Sequence, residues 1–234
     1  GSRVLVHYGG KSAVESGLLD RVCQCLEEAG LSYVLAGGVR PNPRLSRVEE
    51  CIRLARQEKV DFILAVGGGS VIDSAKGIGY GLANEGDVWE FYSRKRIPAG
   101  CAPLGVILTI AASGSETSDG SVVTNDRSRL KRDVGSDYAR PKFAILNPEL
   151  TFSLPEYQTS CGTTDILMHA MERYFTTVHN VELVDGFLES LMKTVRHNFR
   201  IVLGNPADYD ARAELMLAGS FSHTGLLTCG RKWD

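Results

Sequence analysis

Short apolar runs alternate with longer stretches in which apolar positions recur every three or four residues, and this alternation persists over the first 150 positions. Arg3 to His7 reads as a strand, followed by a Tyr8-Gly9-Gly10-Lys11-Ser12 turn in which Ser12 suits a helix cap. The helix predicted from there runs to about Glu28, with Val14, Leu18, Leu19, Val22 and Leu26 near one face, and Gly30 stops it. Ser32 to Ala36 reads as a second strand, which the glycines at 37 and 38 and then Pro41-Asn42-Pro43 bring to an end. A helix capped by Ser46 gathers Val48, Cys51, Ile52 and Ala55 on one face. Val60 to Val66 is apolar except at Asp61, which is how a strand covered on both sides reads. Gly67-Gly68-Gly69-Ser70 ends it, and a third helix starts near Val71. Gly105 to Ile110 and Phe143 to Leu146 are further apolar strands. Strands of this kind spaced by amphipathic helices predict a parallel sheet with helices on its faces.

The pattern changes after Pro148. From Pro155 onward the apolar spacing is helical throughout, in segments around 161–175, 182–202 and 208–224. The expected organisation is α/β, a parallel-sheet domain over residues 1–150 followed by an all-helical domain over 151–234. Three helices make a small core, so the second domain is expected to be incomplete.

Composition narrows the partners. The 26 basic and 28 acidic side chains leave a net charge of -2, so no broad positive field is available for a nucleic acid backbone. The basic cluster from Arg127 to Lys142 is interrupted by Asp133 and Asp137 and reads as a solvated loop. Six cysteines are scattered without a CxxC pair, which predicts buried free thiols rather than a zinc knuckle or disulfide framework, and with them a cytoplasmic setting. No apolar run approaches the roughly 18 residues of a membrane span, and no signal peptide is evident.

Three segments carry chemistry. The strand that enters Gly67-Gly68-Gly69-Ser70 and leaves as a helix offers a turn without Cβ atoms and unpaired first-turn amides, which suits a pyrophosphate. The run satisfies neither GxGxxG nor the GxxxxGK[ST] loop, so a tight turn without a ligand stays open. Asp73, one turn into that helix, suits a ribose hydroxyl, ordering of the glycine turn, or solvent. Lys76 reads as outward-facing or structural. The second segment, Thr109 to Ser118, supplies hydroxyls, amides and Glu116. It suits phosphate edges or a nicotinamide carboxamide, or a capping box formed by Ser113 and Glu116. The third runs from Gly162 to Tyr174. It places Asp165 and His169 four residues apart on one helical face, a carboxylate and an imidazole suited to a divalent metal or simply to one another. Of the other histidines, His7, His179, His197 and His223, only His223 lies in a later helix with an easy return to this point, and its Ser-His-Thr-Gly setting reads as structural.

On these segments, and on Arg140 through Thr151, the sequence resembles the iron-containing alcohol dehydrogenase family, in particular its NADP(H)-using, butanol-dehydrogenase-like branch. The motifs fall in family order along essentially the whole chain. The resemblance implies a dinucleotide-binding α/β domain, an all-helical domain, and an active site between them. It implies that Gly68, Gly69 and Ser70 cradle the pyrophosphate, within a matching run from Gly67 through Asp73 to Lys76, and that Thr109, Ser118, Lys131 and Leu150 line the cofactor pocket. It also implies that Asp165 and His169 are the first two metal ligands, for iron in preference to zinc. NAD-preferring relatives carry an Asp at the place of Gly37, where an acid would repel a 2′-phosphate; glycine there points to NADP(H), with Arg40 and Arg44 nearby.

The implied reaction is hydride exchange between NADPH and a small aldehyde or ketone, giving a primary or secondary alcohol. The metal polarises the carbonyl, and no serine, cysteine or lysine nucleophile takes part. Family members place two further histidines after a Gly-Asp-Trp-like segment, whereas this chain stops at Gly230-Arg231-Lys232-Trp233-Asp234, and it starts after the family's first strands. The expectation is of a chain shortened at both ends, with exposed helical faces compatible with a homodimer. The rival readings are a glycerol-dehydrogenase-like or dehydroquinate-synthase-like enzyme, and a dinucleotide-binding module without turnover. The basic constellation that an acidic dehydroquinate precursor would need is missing.

Overall fold

A computed structural model describes residues 1–231; Lys232, Trp233 and Asp234, the end of the segment noted above, lie outside the described residues. The chain divides into two compact units. The first comprises Gly1–Ile107 and Asp119–Ala144, the second Leu108–Ser118 and the chain from Ile145 onward. The loop after the fourth strand therefore belongs with the helices.

The first unit opens with β1 (Arg3–Tyr8), followed by a single turn α1 (Ser12–Glu15) and then α2 (Leu18–Glu28). The one helix expected from Ser12 to Glu28 is thus two. Gly17 adopts a left-handed conformation with φ of 71° and breaks the hydrogen-bond ladder, so that Leu18, Leu19 and Val22 turn inward while Val14 stays exposed. β2 (Ser32–Ala36) leads to α3 (Leu45–Gln57), whose cap position is taken by Arg44 rather than Ser46. The amide of Ser46 instead donates to Asp126 Oδ1 at 3.2 Å. β3 (Phe62–Gly67) runs into α4 (Gly69–Ala83), and a short α5 (Trp89–Tyr92) precedes β4 (Leu104–Leu108).

The segment from Gly120 to Gly135 is a two-stranded antiparallel ribbon, β5 (Gly120–Asn125) and β6 (Leu130–Gly135), where the charge pattern suggested a loop. Its inner strand buries Ser121, Val123 and Thr124, while every residue of the basic outer strand except Val134 is exposed. A basic edge facing water reads as a loop when only composition is weighed. β7 (Ala144–Ile145) completes the main sheet, in the order β2-β1-β3-β4-β7. β1 pairs in parallel with both β2 and β3, with His7 opposite Ala36 on one side and Ala65 on the other. Leu5, Val6, Ile63 and Val66 on the strands and Ile72 and Ile78 on α4 are fully or almost fully buried, so the sheet is covered on both faces as its apolar strands require.

The second unit is helical. α6 (Glu156–Tyr174), α7 (Glu182–Gly204) and α8 (Tyr209–Ser222) close around Ile166, Val195, Val202, Ala211 and Leu215, with a second cluster of Ala170, Val184, Leu188 and Leu227. All six cysteines are free thiols, but Cys25, Cys161 and Cys229 are exposed rather than buried. Among the described residues no helix is long and apolar enough to cross a membrane.

Candidate functional site

The order of the main sheet makes β1 the strand from which the chain first moves outward to β2 and then returns across to β3. Ligands of such sheets bind beyond the carboxyl ends of the strands at that reversal. Here three glycine-bearing turns converge on it. The turn after β2 is tied to the turn after β1 by Gly38 N–H donating to the Gly9 carbonyl at 2.9 Å and Val39 N–H to Tyr8 at 3.4 Å. Gly67, Gly68 and Gly69 carry β3 into α4, with Gly68 as the cap residue and Val71 N–H closing the first helical turn on the Gly68 carbonyl at 2.9 Å. The amides of the first turn, Gly69 and Ser70 among them, have no acceptor within the helix and lie at its positive end. A Cβ on Gly67 would lie 2.5 Å from Val71 Cγ2, so the close approach of strand and helix itself demands glycine.

Other residues of this unit hold the turns in place. Asp73 does not face open solvent: its Oδ2 accepts the Val122 amide at 3.2 Å and its carbonyl accepts the Ser121 hydroxyl at 2.8 Å, fastening α4 to the β5–β6 ribbon. Lys76 is fully buried and donates to the Gly120 carbonyl at 2.7 Å, a structural lysine. Lys131, on the exposed strand β6, donates to Asn42 Oδ1 at 2.8 Å. Gly37 is covered by the Tyr8 ring, which stands 2.4 Å from where a Cβ would be. Nothing in the residue pattern points to this role for Tyr8 beyond its place at the end of β1. Behind the turns lies His7, fully buried. One ring nitrogen, Nδ1, is 2.8 Å from the Ala36 carbonyl, which fixes it as the donor; Nε2 then accepts from the Ser74 hydroxyl at 2.8 Å. Burial lowers its pKa to about 4, so the ring is neutral at pH 7.

In the helical unit, Thr109 and Ser118 bracket a bend rather than a helix. Ser113 and Glu116 do not form a capping box, and the Thr117 amide closes a turn on Gly114 at 3.1 Å. Glu116 is buried and accepts the Ser220 hydroxyl at 2.6 Å, and Thr117 donates to the Ser220 carbonyl at 2.8 Å, so this bend is moored to α8. Ser118 is buried as well, and Leu150 is half-buried in a 3-10 turn over Pro148–Thr151. Gly162 lets α6 pass against the same bend, since a Cβ there would meet the Ala111 carbonyl at 2.3 Å.

Three residues beyond Gly162, Asp165 begins the pair with His169. Asp165 Oδ1 stands 3.8 Å from His169 Nε2, too far for a hydrogen bond, and His169 Nδ1 is buried without a hydrogen-bond partner among the described residues. The pair is therefore not closed upon itself. Two donors each about 2.1 Å from one metal stand roughly 3–4 Å apart, so this spacing fits joint ligation. Burial pushes the His169 pKa down against the pull of Asp165, favouring the neutral ring that a metal needs. His223 at the end of α8 is closer than its sequence context suggested. Its ring packs edge-on against that of His169 at 4.8 Å, and its Nδ1 is 3.3 Å from the buried guanidinium of Arg173. Among the described residues, no group of three or more His, Cys, Asp or Glu side chains is assembled that would hold a metal by itself.

A parallel sheet with glycine turns at its reversal, followed by a helical unit presenting a carboxylate and an imidazole, defines a doubly wound α/β protein with an appended helical region. Comparison with known proteins makes this specific. Residues 1–148 match the model for "Iron-containing alcohol dehydrogenase" and residues 159–228 that for the C-terminal region of the same family, to which the chain therefore belongs. It is 40% identical over 236 residues to NADH-dependent butanol dehydrogenase A of Clostridium acetobutylicum, covering all of this chain and 61% of that protein. To the NADPH-dependent aldehyde reductase YqhD of Escherichia coli it is 35% identical, covering all of this chain and 60% of the relative. The crystal structure of NADH-dependent butanol dehydrogenase A from Thermotoga maritima superposes with a TM-score of 0.95 at 36% identity, over 98% of this chain and 57% of that one. The chain thus spans about three fifths of the length of these relatives.

Proposed function

We propose that the protein is an oxidoreductase that transfers hydride reversibly between NADPH and a small aldehyde or ketone, with a divalent metal, iron in preference to zinc, held in part by Asp165 and His169. Bound NADPH supplies the hydride and a bound metal the Lewis acidity that polarises the carbonyl. The chain's own contribution is binding and orientation. Gly67, Gly68, Gly69 and Ser70 receive the pyrophosphate on the amides that open α4. Asp73 and Lys76 lock that helix to the β5–β6 ribbon, and Thr109, Ser118, Lys131 and Leu150 are assigned to the remaining walls of the cofactor pocket.

The observation that carries the metal assignment is the open Asp165–His169 pair, a buried imidazole with an unpartnered Nδ1 and a carboxylate 3.8 Å from Nε2. Two donors are half of a tetrahedral sphere, so further ligands are required. The relatives divide by name between NADH and NADPH. The choice of NADPH rests on Gly37, where the Tyr8 ring occupies the space of a side chain, so that no acid stands at this position to repel a 2′-phosphate. Exposed Leu183, Phe187, Leu217 and Phe221 on α7 and α8 are compatible with pairing of two chains, and six free thiols suit a reducing cytoplasm.

A second reading, dinucleotide binding without turnover, is favoured by the lack of a three-donor cluster among the described residues. Fluorescence titration with NADPH and NADH, calorimetric titration with Fe(II) and Zn(II), and reduction of a short-chain aldehyde separate the two. The enzyme reading expects NADPH binding, and metal binding that is lost in Asp165→Ala and His169→Ala while NADPH affinity is kept. NADPH binding with neither metal uptake nor turnover would establish the second reading, and failure of a folded chain to bind either dinucleotide would remove both.

A further inference from the structure

A small cavity of about 10 Å³ lies inside the helical unit, walled by the bend before Ser118, by Thr151, by Thr159 and Thr163 of α6 and by Arg212 of α8, with Leu215 on its apolar side. It has room for about one water-sized body. Arg212 is only 3% exposed, yet no carboxylate lines the cavity and, among the described residues, none acts on the guanidinium. Its Nε donates to the Pro206 carbonyl at 2.9 Å and its Nη1 to the Thr159 hydroxyl at 3.0 Å. Both acceptors are neutral, so the charge itself is not compensated. Asp208, one turn earlier, is spent as the helix cap, its Oδ1 accepting the Ala211 amide at 3.0 Å. Arg212 moreover stands in the first turn of α8, at the positive end of the helix, where a cation is disfavoured. A guanidinium keeps its proton in proteins, and a buried charge of this kind calls for a counter-ion.

We infer that this cavity is a binding site for one monoatomic anion, chloride, held between the Arg212 guanidinium and the hydroxyls of Thr159 and Thr163. The donors for it are at hand. The Thr159 hydroxyl accepts from Arg212 and keeps its own proton to give. Among the described residues, neither Nη2 of Arg212 nor the Thr163 hydroxyl makes a hydrogen bond. Thr151 takes no part as a donor, because its hydroxyl proton goes to the Pro148 carbonyl at 2.7 Å. Size selects the ligand. Chloride is only slightly larger than water, whereas phosphate, sulfate and carboxylate each bring several heavy atoms to a space for one. The apolar wall at Leu215 keeps solvent from screening the attraction. The bound anion ties α6 to the first turn of α8, so occupancy stabilises the helical unit. The site is distinct from the groups assigned to cofactor and metal: Thr109, Leu150, Asp165 and His169 do not line the cavity.

The test is urea unfolding, followed by circular dichroism, in sodium chloride and in sodium gluconate at equal ionic strength, gluconate being too large for the cavity. For the wild type the midpoint should rise with chloride relative to gluconate, and the gain should saturate as a single site fills. Thr163→Val keeps the shape of the side chain but removes one donor, and should weaken the apparent chloride affinity about 10-fold. Arg212→Met should lose the chloride dependence altogether. Arg200→Ala removes an exposed charge of α7 that does not line the cavity, and should behave as the wild type. A second measurement needs no variant: in crystals of the wild type soaked in bromide, an anomalous peak is expected within hydrogen-bond distance of Arg212 and Thr159. Equal midpoints in chloride and gluconate, or a chloride gain that is the same in Thr163→Val and Arg200→Ala as in the wild type, would overturn the inference. So would soaked crystals without a bromide peak at Arg212, which would mean that the cavity holds only water.

Discussion

Replacing Gly162 by alanine should be disproportionately damaging for so small a change. A Cβ there would stand 2.3 Å from the carbonyl oxygen of Ala111 and 3.4 Å from its carbon. The obstacle is backbone, which cannot swing aside as a side chain does, so α6 or the Thr109–Ser118 bend must move. Overpacking of this kind costs about 1–3 kcal/mol, and a backbone obstacle argues for the upper end. With a urea dependence near 3 kcal/mol per molar, the unfolding midpoint should fall by about 1 M. Gly186, exposed in the interior of α7, supplies the opposite case, since nothing lies within 4 Å of its added Cβ. Alanine there only restricts the unfolded chain, worth about 0.5–1 kcal/mol of gain, so the midpoint should rise slightly. Urea titration followed by circular dichroism of the helices reads both variants. A Gly162→Ala midpoint equal to or above the wild type would refute the claim that α6 is seated by contact of its backbone with the bend.

Three other substitutions probe the same architecture. His7 is neutral in the fold, with its pKa lowered to about 4, while the unfolded imidazole takes up its proton near 6.5. The unfolded state therefore binds more protons between those values, and stability should drop as pH falls through that window, by about 3 kcal/mol in all. Urea midpoints at pH 7 and pH 4.5 should show a shallower acid loss in His7→Gln than in the wild type, and equal losses would count against the assignment. Ser220→Ala removes the hydroxyl that donates to buried Glu116 at 2.6 Å and should cost about 1–3 kcal/mol; an unchanged melting temperature would mean that the bend is held by its other contacts. Gly37→Ala should destabilise the wild type through the Tyr8 ring but be tolerated in a Tyr8→Ala background, a coupling that additive losses in the double-mutant cycle would contradict.

What the sequence disclosed and what it hid follow from the range of the interactions involved. The strands at Val4–Val6 and Ile63–Val66 were legible because a strand buried on both faces must be apolar at every position, a signal that needs no partner to interpret. The break at Gly17 was not legible, because Val14 and Leu18 share a helical stripe on paper and only the left-handed glycine shows that the stripe ends there. The β5–β6 ribbon escaped for another reason. Its register pairs a buried Val123 with an exposed Arg132, and a strand with one basic, solvated face has the composition of a loop. Likewise Ser113 and Glu116 have the spacing of a capping box, but Glu116 finds Ser220, 104 positions away, and a partner at that separation overrides a local rule.

The candidate site divides along the same line. The glycine turn at Gly67–Ser70 is local chemistry: strand, turn and helix are contiguous, so the demand for glycine and the unpaired amides can both be read from one stretch of chain. The carboxylate and imidazole of α6 are also local, being one helical turn apart, yet their meaning depends on what surrounds them. A hydrogen-bonded pair and a half-built metal site have the same sequence, and only the 3.8 Å gap and the unpartnered Nδ1 separate the two. Arg40, Arg44 and Arg47 reverse the situation. They are near neighbours in sequence and look like one solvated basic stretch, yet their commitments differ. Arg47 pairs with Glu50 and donates to the Gly37 carbonyl, whereas among the described residues Arg40 and Arg44 make no ion pair, a division that depends on where the turn after β2 meets α3 and that spacing alone does not carry.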